Sequence, residues 1–234
     1  MATNRSSATN LTNSLRAVIF DLDGTLVDSS AEIATALART FADLGLAPLG
    51  KADVEALIGR GVRVLVERAL AQAGVPVVDV DATVERFEAH YALTVGTAAE
   101  LYPGALAGMR RLREAGIGLS VVTNKPRFFT QQLLDRLGVA EMLAAVVAGD
   151  DGIRRKPHGD MLLAACERMG SQPGETLMLG DSDNDVVAAR AAGCPVWCVP
   201  YGYNEGRSPD TLACDRLVDT IEAAARLIVP ERAP

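Results

Sequence analysis

Aromatic residues are scarce in this chain, with five Phe, four Tyr and one Trp among 234 residues, so its core must be built from alanine, valine and leucine on packed helices and strands. Histidine is rarer still, and the four cysteines, Cys166, Cys194, Cys198 and Cys214, contain no Cys-x-x-Cys pair and lie at no finger-like spacing from His90 or His158. Zinc is therefore not expected. Cys194 and Cys198 flank Pro195-Val196-Trp197 and read as small buried thiols. Cations are outnumbered, 23 Lys and Arg against 30 Asp and Glu, and the net charge of -7 argues against a nucleic-acid partner. No apolar run approaches the roughly 20 residues needed to cross a bilayer, so no membrane partner is expected. The N-terminus lacks the basic-then-apolar layout of a secretory signal, and the chain reads as cytoplasmic. Residues 1–14, rich in Ser, Thr and Asn, read as a flexible tail.

What is present is a chain long enough for one large domain and an inserted module. Five short apolar runs have strand character: Ala17 to Phe20, Leu119 to Val122, Ala144 to Ala148, Thr176 to Leu179 and Val196 to Val199. Helical patterns separate the later ones. Gly104 to Ala115 carries Leu106, Met109 and Leu112 and stops at Gly116; Pro126 opens a segment that Gly138 closes, and Gly193 closes Val186 to Ala192. Alternation of this kind predicts an α/β fold, a doubly wound, mostly parallel sheet covered by helices on both faces.

The first two strands are separated by about a hundred residues, far beyond an ordinary connection. Ser29 with Glu32 fits a capping box, followed by Ile33, Leu37, Thr40, Phe41 and Leu44 at helical spacing. Further helices are expected near Asp53 to Ile58, Val62 to Ala73 and Asp81 to Val95. The spacing thus predicts a helical cap over residues 30–103 on a core of 15–29 and 104–234, with hinges at Asp28 to Ser30 and Leu101 to Gly104.

In open parallel sheets ligands bind outside the carboxyl ends of the strands. There the sequence gathers Asp21 and Asp23, then Thr123 and Asn124, then a loop with Lys156, then Gly180-Asp181-Ser182-Asp183-Asn184-Asp185. Asp, Asn and Thr also cap helices that follow strands, which accounts for single members of this set but not for the combination. Converging carboxylates repel one another, and a hard divalent cation, Mg2+, is the natural neutraliser. A calcium loop at Asp181 fails on spacing, since its sixth and twelfth positions are Val186 and Ala192.

Asp21-Leu22-Asp23-Gly24-Thr25, Thr123, Lys156-Pro157 and Gly180-Asp181-Ser182 with Asp185 resemble the four ordered motifs of the haloacid dehalogenase superfamily, across nearly the whole chain. The resemblance implies a Rossmann-like core and a phosphatase acting on a small phosphomonoester through an aspartyl phosphate. Asp21 would be the nucleophile and Asp23 the general acid and base. Thr123 and Lys156 would hold phosphoryl oxygens. Magnesium would be bound by Asp21, the Asp23 backbone carbonyl and Asp181, with Asp185 orienting its water ligands. The acid at Asp23 favours phosphoryl transfer over carbon–halogen cleavage. Thr123-Asn124-Lys125-Pro126, Tyr201-Gly202-Tyr203-Asn204 and Ile58-Gly59-Arg60-Gly61 are similar to the phosphoglycolate phosphatase branch. A 2-phosphoglycolate substrate would need a cation for its second anion, from Arg60, Arg63 or Lys125, with Asn124 also in contact. The motifs depart from the usual Lys-Pro-x-Pro at Gly159. Sugar-phosphate phosphatases and phosphosugar mutases share every core motif, and a phospho-accepting signalling receiver also pairs carboxylates with Thr and Lys. A monomer or homodimer is expected.

Overall fold

A computed structural model of the protein describes residues 14–75 and 79–230. The segment read as a flexible tail, apart from Ser14, lies outside the described residues. The chain begins with β1 (Ala17–Phe20), passes through β2 (Val27–Asp28), and then forms α1 (Ser30–Asp43), α2 (Lys51–Glu55), α3 (Val62–Gln72) and α4 (Val80–Ala92). It returns through β3 (Glu100–Leu101) to α5 (Ala105–Glu114), β4 (Gly118–Val122), α6 (Arg127–Arg136), β5 (Ala145–Val147) and α7 (Asp160–Met169). The remainder is β6 (Thr176–Gly180), α8 (Asp183–Ala192), β7 (Val196–Cys198), β8 (Arg216–Leu217) and α9 (Ile221–Ile228).

Six strands form one parallel sheet in the order β5-β4-β1-β6-β7-β8, with β1 at the point where the order reverses. Side chains alternate along each strand, and the two sets feed two cores. Val18, Phe20, Leu119, Val121, Leu177 and Leu179 pack with α5, α6 and α9. Ile19, Val122, Val147, Met178, Val196 and Cys198 pack with Met161, Leu162, Val186 and Ala189 of α7 and α8. Cys194 and Cys198 are buried in this second core.

The first core runs on into the helical insertion, where Ile33, Leu37 and Phe41 of α1 meet Leu65, Val66, Phe87 and Tyr91. Leu44 does not join them; it ends the helix and is 39% exposed. The insertion is joined to the sheet by an antiparallel ribbon, Val27 opposite Leu101 and Asp28 opposite Glu100. Ser29 and Glu32 do not make a capping box. Ser29 Oγ donates to Asp23, and the Glu32 carboxylate accepts from Tyr91 and Gly96, so tertiary partners outbid the local ones. Reciprocal capping occurs instead at Ser182 and Asp185, at the start of α8. Gly159 also has a packing reason: a Cβ there would stand 2.7 Å from the Ala192 backbone nitrogen, so α7 starts too close to α8 for a proline ring.

Candidate active site

β1 ends inside the molecule, and Asp21 continues its ladder by donating its N–H to the Leu179 carbonyl at 2.9 Å. Its carboxylate is thereby fixed at the sheet edge. Lys156, delivered by the loop before α7, places its buried Nζ 2.8 Å from Asp21 Oδ1 and 2.7 Å from Asp185 Oδ1. Asp185 Oδ2 accepts from the Ser182 hydroxyl at 2.8 Å and from the backbone N–H groups of Asp181 and Ser182 at 3.2 and 3.1 Å. Asp181 is held by Thr25 Oγ1 at 2.8 Å and by the N–H groups of Tyr203 and Asn204 at 2.8 and 3.4 Å. The turn after Asp23 passes so close that a Cβ on Gly24, whose φ is +90°, would lie 2.6 Å from Asp181 Oδ2. Only glycine fits both that backbone and that gap.

Among the described residues, Asp21, Asp181 and Asp185 each offer a carboxylate oxygen within 4.8 Å of the others, and all three are buried. One lysine does not neutralise three acids. Burial pushes the Asp21 carboxyl well above its ordinary value against the pull of Lys156, and burial with the nearby Asp185 raises Asp181 to about 7. At Lys156 the two carboxylates outweigh burial and hold the ammonium charged. A buried, all-oxygen donor set with excess negative charge suits a hard divalent cation. Both oxygens of Asp185 and both of Asp181 already accept hydrogen bonds, whereas Asp21 is held through Oδ1 by Lys156, which leaves Asp21 the best placed direct ligand.

Asp23 stands apart from this group. Its two carboxylate oxygens accept from Lys125 Nζ at 2.9 and 3.0 Å, and Ser29 Oγ lies 2.5 Å from Oδ1. Asp21, Asp23, Thr123, Asn124 and Lys125 form the polar side of a cleft with about 460 Å³ of empty space, faced by Ile33, Ile58, Val62, Leu65, Phe87 and Tyr91 from the insertion. Thr123 Oγ1 accepts the Lys125 N–H at 3.1 Å. Asn124 lines the cleft, but its amide protons go to the Gly59 and Lys156 carbonyls, both at 3.0 Å. Asn184 Nδ2 reaches the same Gly59 carbonyl at 3.2 Å, so two sheet-side amides dock one loop of the insertion.

The structure does not bring Arg60 and Arg63 to the cleft. Arg60 forms a two-point pair with Glu205 at 2.6 and 3.2 Å, and Arg63 pairs with Glu67 and Asp81. Exposed guanidinium groups with nearby surface acids are satisfied there. Sequence reasoning did not single out Thr25 or Tyr203 as supports of Asp181, although both stand inside segments it quoted.

A family model described as haloacid dehalogenase-like hydrolase matches residues 15–193. The chain belongs to that family. This haloacid dehalogenase-like hydrolase is 43% identical over 217 residues to the "Phosphoglycolate phosphatase, plasmid" of Cupriavidus necator, covering 92% of this chain and 94% of that one. It is 41% identical over 217 residues to the phosphoglycolate phosphatase of Nitrosospira multiformis, covering 92% and 96%. Among solved structures it resembles a predicted phosphoglycolate phosphatase from Haemophilus somnus, with a TM-score of 0.86, 29% identity and coverage of 92% and 98%.

Proposed function

We propose that this chain is a magnesium-dependent phosphatase that hydrolyses 2-phosphoglycolate to glycolate and phosphate, with residues 30–103 acting as a cap over a core of 15–29 and 104–234. The observation that carries the reading is Asp21, buried at the carboxyl end of the central strand, 2.8 Å from Lys156 and grouped with Asp181 and Asp185. The names of its relatives support the choice of substrate.

An Asp21 carboxylate oxygen attacks phosphorus as the ester P–O bond breaks, which splits one hard displacement into two easier ones. Asp23, on the same turn, gives a proton to the leaving oxygen and later takes one from the water that opens the aspartyl phosphate. Lys156 and the Thr123 hydroxyl hold phosphoryl oxygens where negative charge gathers. Magnesium held by Asp21 and Asp181, with the Asp23 carbonyl, would add positive charge at the same oxygens. The apolar wall from the insertion lines the cleft with groups that offer water no hydrogen bonds.

A phosphate-release screen tests this reading, with 2-phosphoglycolate set against hexose phosphates, pentose phosphates and nucleotides. Steady release with magnesium, highest for 2-phosphoglycolate and abolished by EDTA, is the expected result. Stable phosphorylation of the chain without turnover would favour a receiver instead. Arg63→Ala is expected to leave kcat/KM for 2-phosphoglycolate within about twofold of the parent, because surface ion pairs contribute little. Steady-state kinetics check this, and an increase in KM of about tenfold would return Arg63 to the site.

A further inference from the structure

Lys125 is the one cation among the described residues that line the cleft. Its side chain is only 4% exposed, and its ammonium sits 4.8 Å from the Tyr91 ring centroid, held in place by that ring and by Asp23. Tyr91 is itself fixed, donating to Glu32 at 3.0 Å, while Glu32 also accepts the Gly96 N–H at 2.7 Å. An ammonium has three donors. Two are directed at Asp23, which leaves one for a guest in the cleft.

A guest carboxylate has few other options. The facing wall is apolar apart from the Tyr91 hydroxyl, which is engaged with Glu32. The Asn124 amide protons are spent on two carbonyls, and the group's buried Oδ1, without a hydrogen-bond partner in the structure, is an acceptor that repels an anion. Arg60 and Arg63 are held elsewhere by acids.

We infer that Lys125 is the specificity-determining residue of this site: its ammonium takes the carboxylate of an acidic leaving group while it holds Asp23 beside the leaving oxygen. The inference rests on the phosphatase reading above and adds the residue that selects the substrate. A leaving group without a second anion leaves the third donor facing an apolar wall, and a buried unpaired donor disfavours that substrate.

The test compares 2-phosphoglycolate with ethyl phosphate, which replaces the carboxylate by a methyl group. It uses the parent, Lys125→Met, Lys125→Gln and Lys125→Arg, all with magnesium. The parent is expected to prefer 2-phosphoglycolate. Lys125→Met should reduce that preference by about 30-fold, the loss appearing mainly as a higher KM for 2-phosphoglycolate, and Lys125→Arg should restore part of it. If Lys125→Met lacks a cooperative thermal transition, Lys125→Gln is read in its place. An equal loss for both substrates, with the preference intact, overturns the assignment and leaves Lys125 a support for Asp23 alone. Were the parent itself to show no preference, the 2-phosphoglycolate reading would fall, and the role of Lys125 in selecting it would fall too.

Discussion

Asp21→Asn is expected to lower phosphate release by about four orders of magnitude or more, because an amide cannot form the acyl phosphate on which both steps of the proposed reaction depend. The substitution is nearly isosteric. It removes a carboxylate whose burial already disfavours the anion, from a group of three buried acids, so the fold should survive or gain slightly in stability. Measured together, a single-turnover assay and a thermal melt separate the two effects. Loss of turnover with an unchanged or higher melting temperature fits a nucleophile; residual turnover within about tenfold of the parent would move the covalent step to another residue.

Lys156→Met should be costly in a different way. The ammonium lies between Asp21 and Asp185 with its side chain 1% exposed, and Asp185 is 0% exposed. Taking away the lysine leaves buried carboxylates without their cation, a change that typically costs about 3–5 kcal/mol. For a chain of this size the melting temperature should fall by on the order of 10 °C in EDTA. Magnesium should recover part of that loss, since a ligand that binds only the folded state stabilises it by mass action. Calorimetry in EDTA and in millimolar magnesium decides the matter. A melting temperature unchanged by the substitution in EDTA would show that the ion pairs of Lys156 with Asp21 and Asp185 contribute nothing to stability.

The sheet was legible because its strands are continuous apolar runs, as strands buried on both faces must be, and the candidate site lies where those runs stop. What escaped the sequence is short or tertiary. Two-residue strands such as Val27–Asp28, Glu100–Leu101 and Arg216–Leu217 carry no periodicity at all. Ser29 and Glu32 have capping-box spacing, yet Asp23, Tyr91 and Gly96 claim their side chains, and no local pattern reveals partners as far away as 64 residues. The same blindness explains the arginines. Arg60 stands beside a cleft-lining loop, but whether it faces that cleft or Glu205, 145 residues later, is decided by the packing of the insertion. Asp21, Asp23, Thr123, Asn124, Lys156, Asp181 and Asp185 all gather at one edge because each follows a strand or precedes a helix of the same sheet.

The 2.5 Å contact between Ser29 and Asp23 links two parts of the molecule that are otherwise easy to treat separately. Ser29 is the residue just before α1, the first helix of the insertion. A rotation of α1–α4 about the β2–β3 ribbon would strain or break a hydrogen bond to Asp23, the proton donor of the proposed reaction. On the proposed reaction, opening the cleft and disarming Asp23 would then be a single movement, with the acid in position only when the apolar wall of the insertion is too.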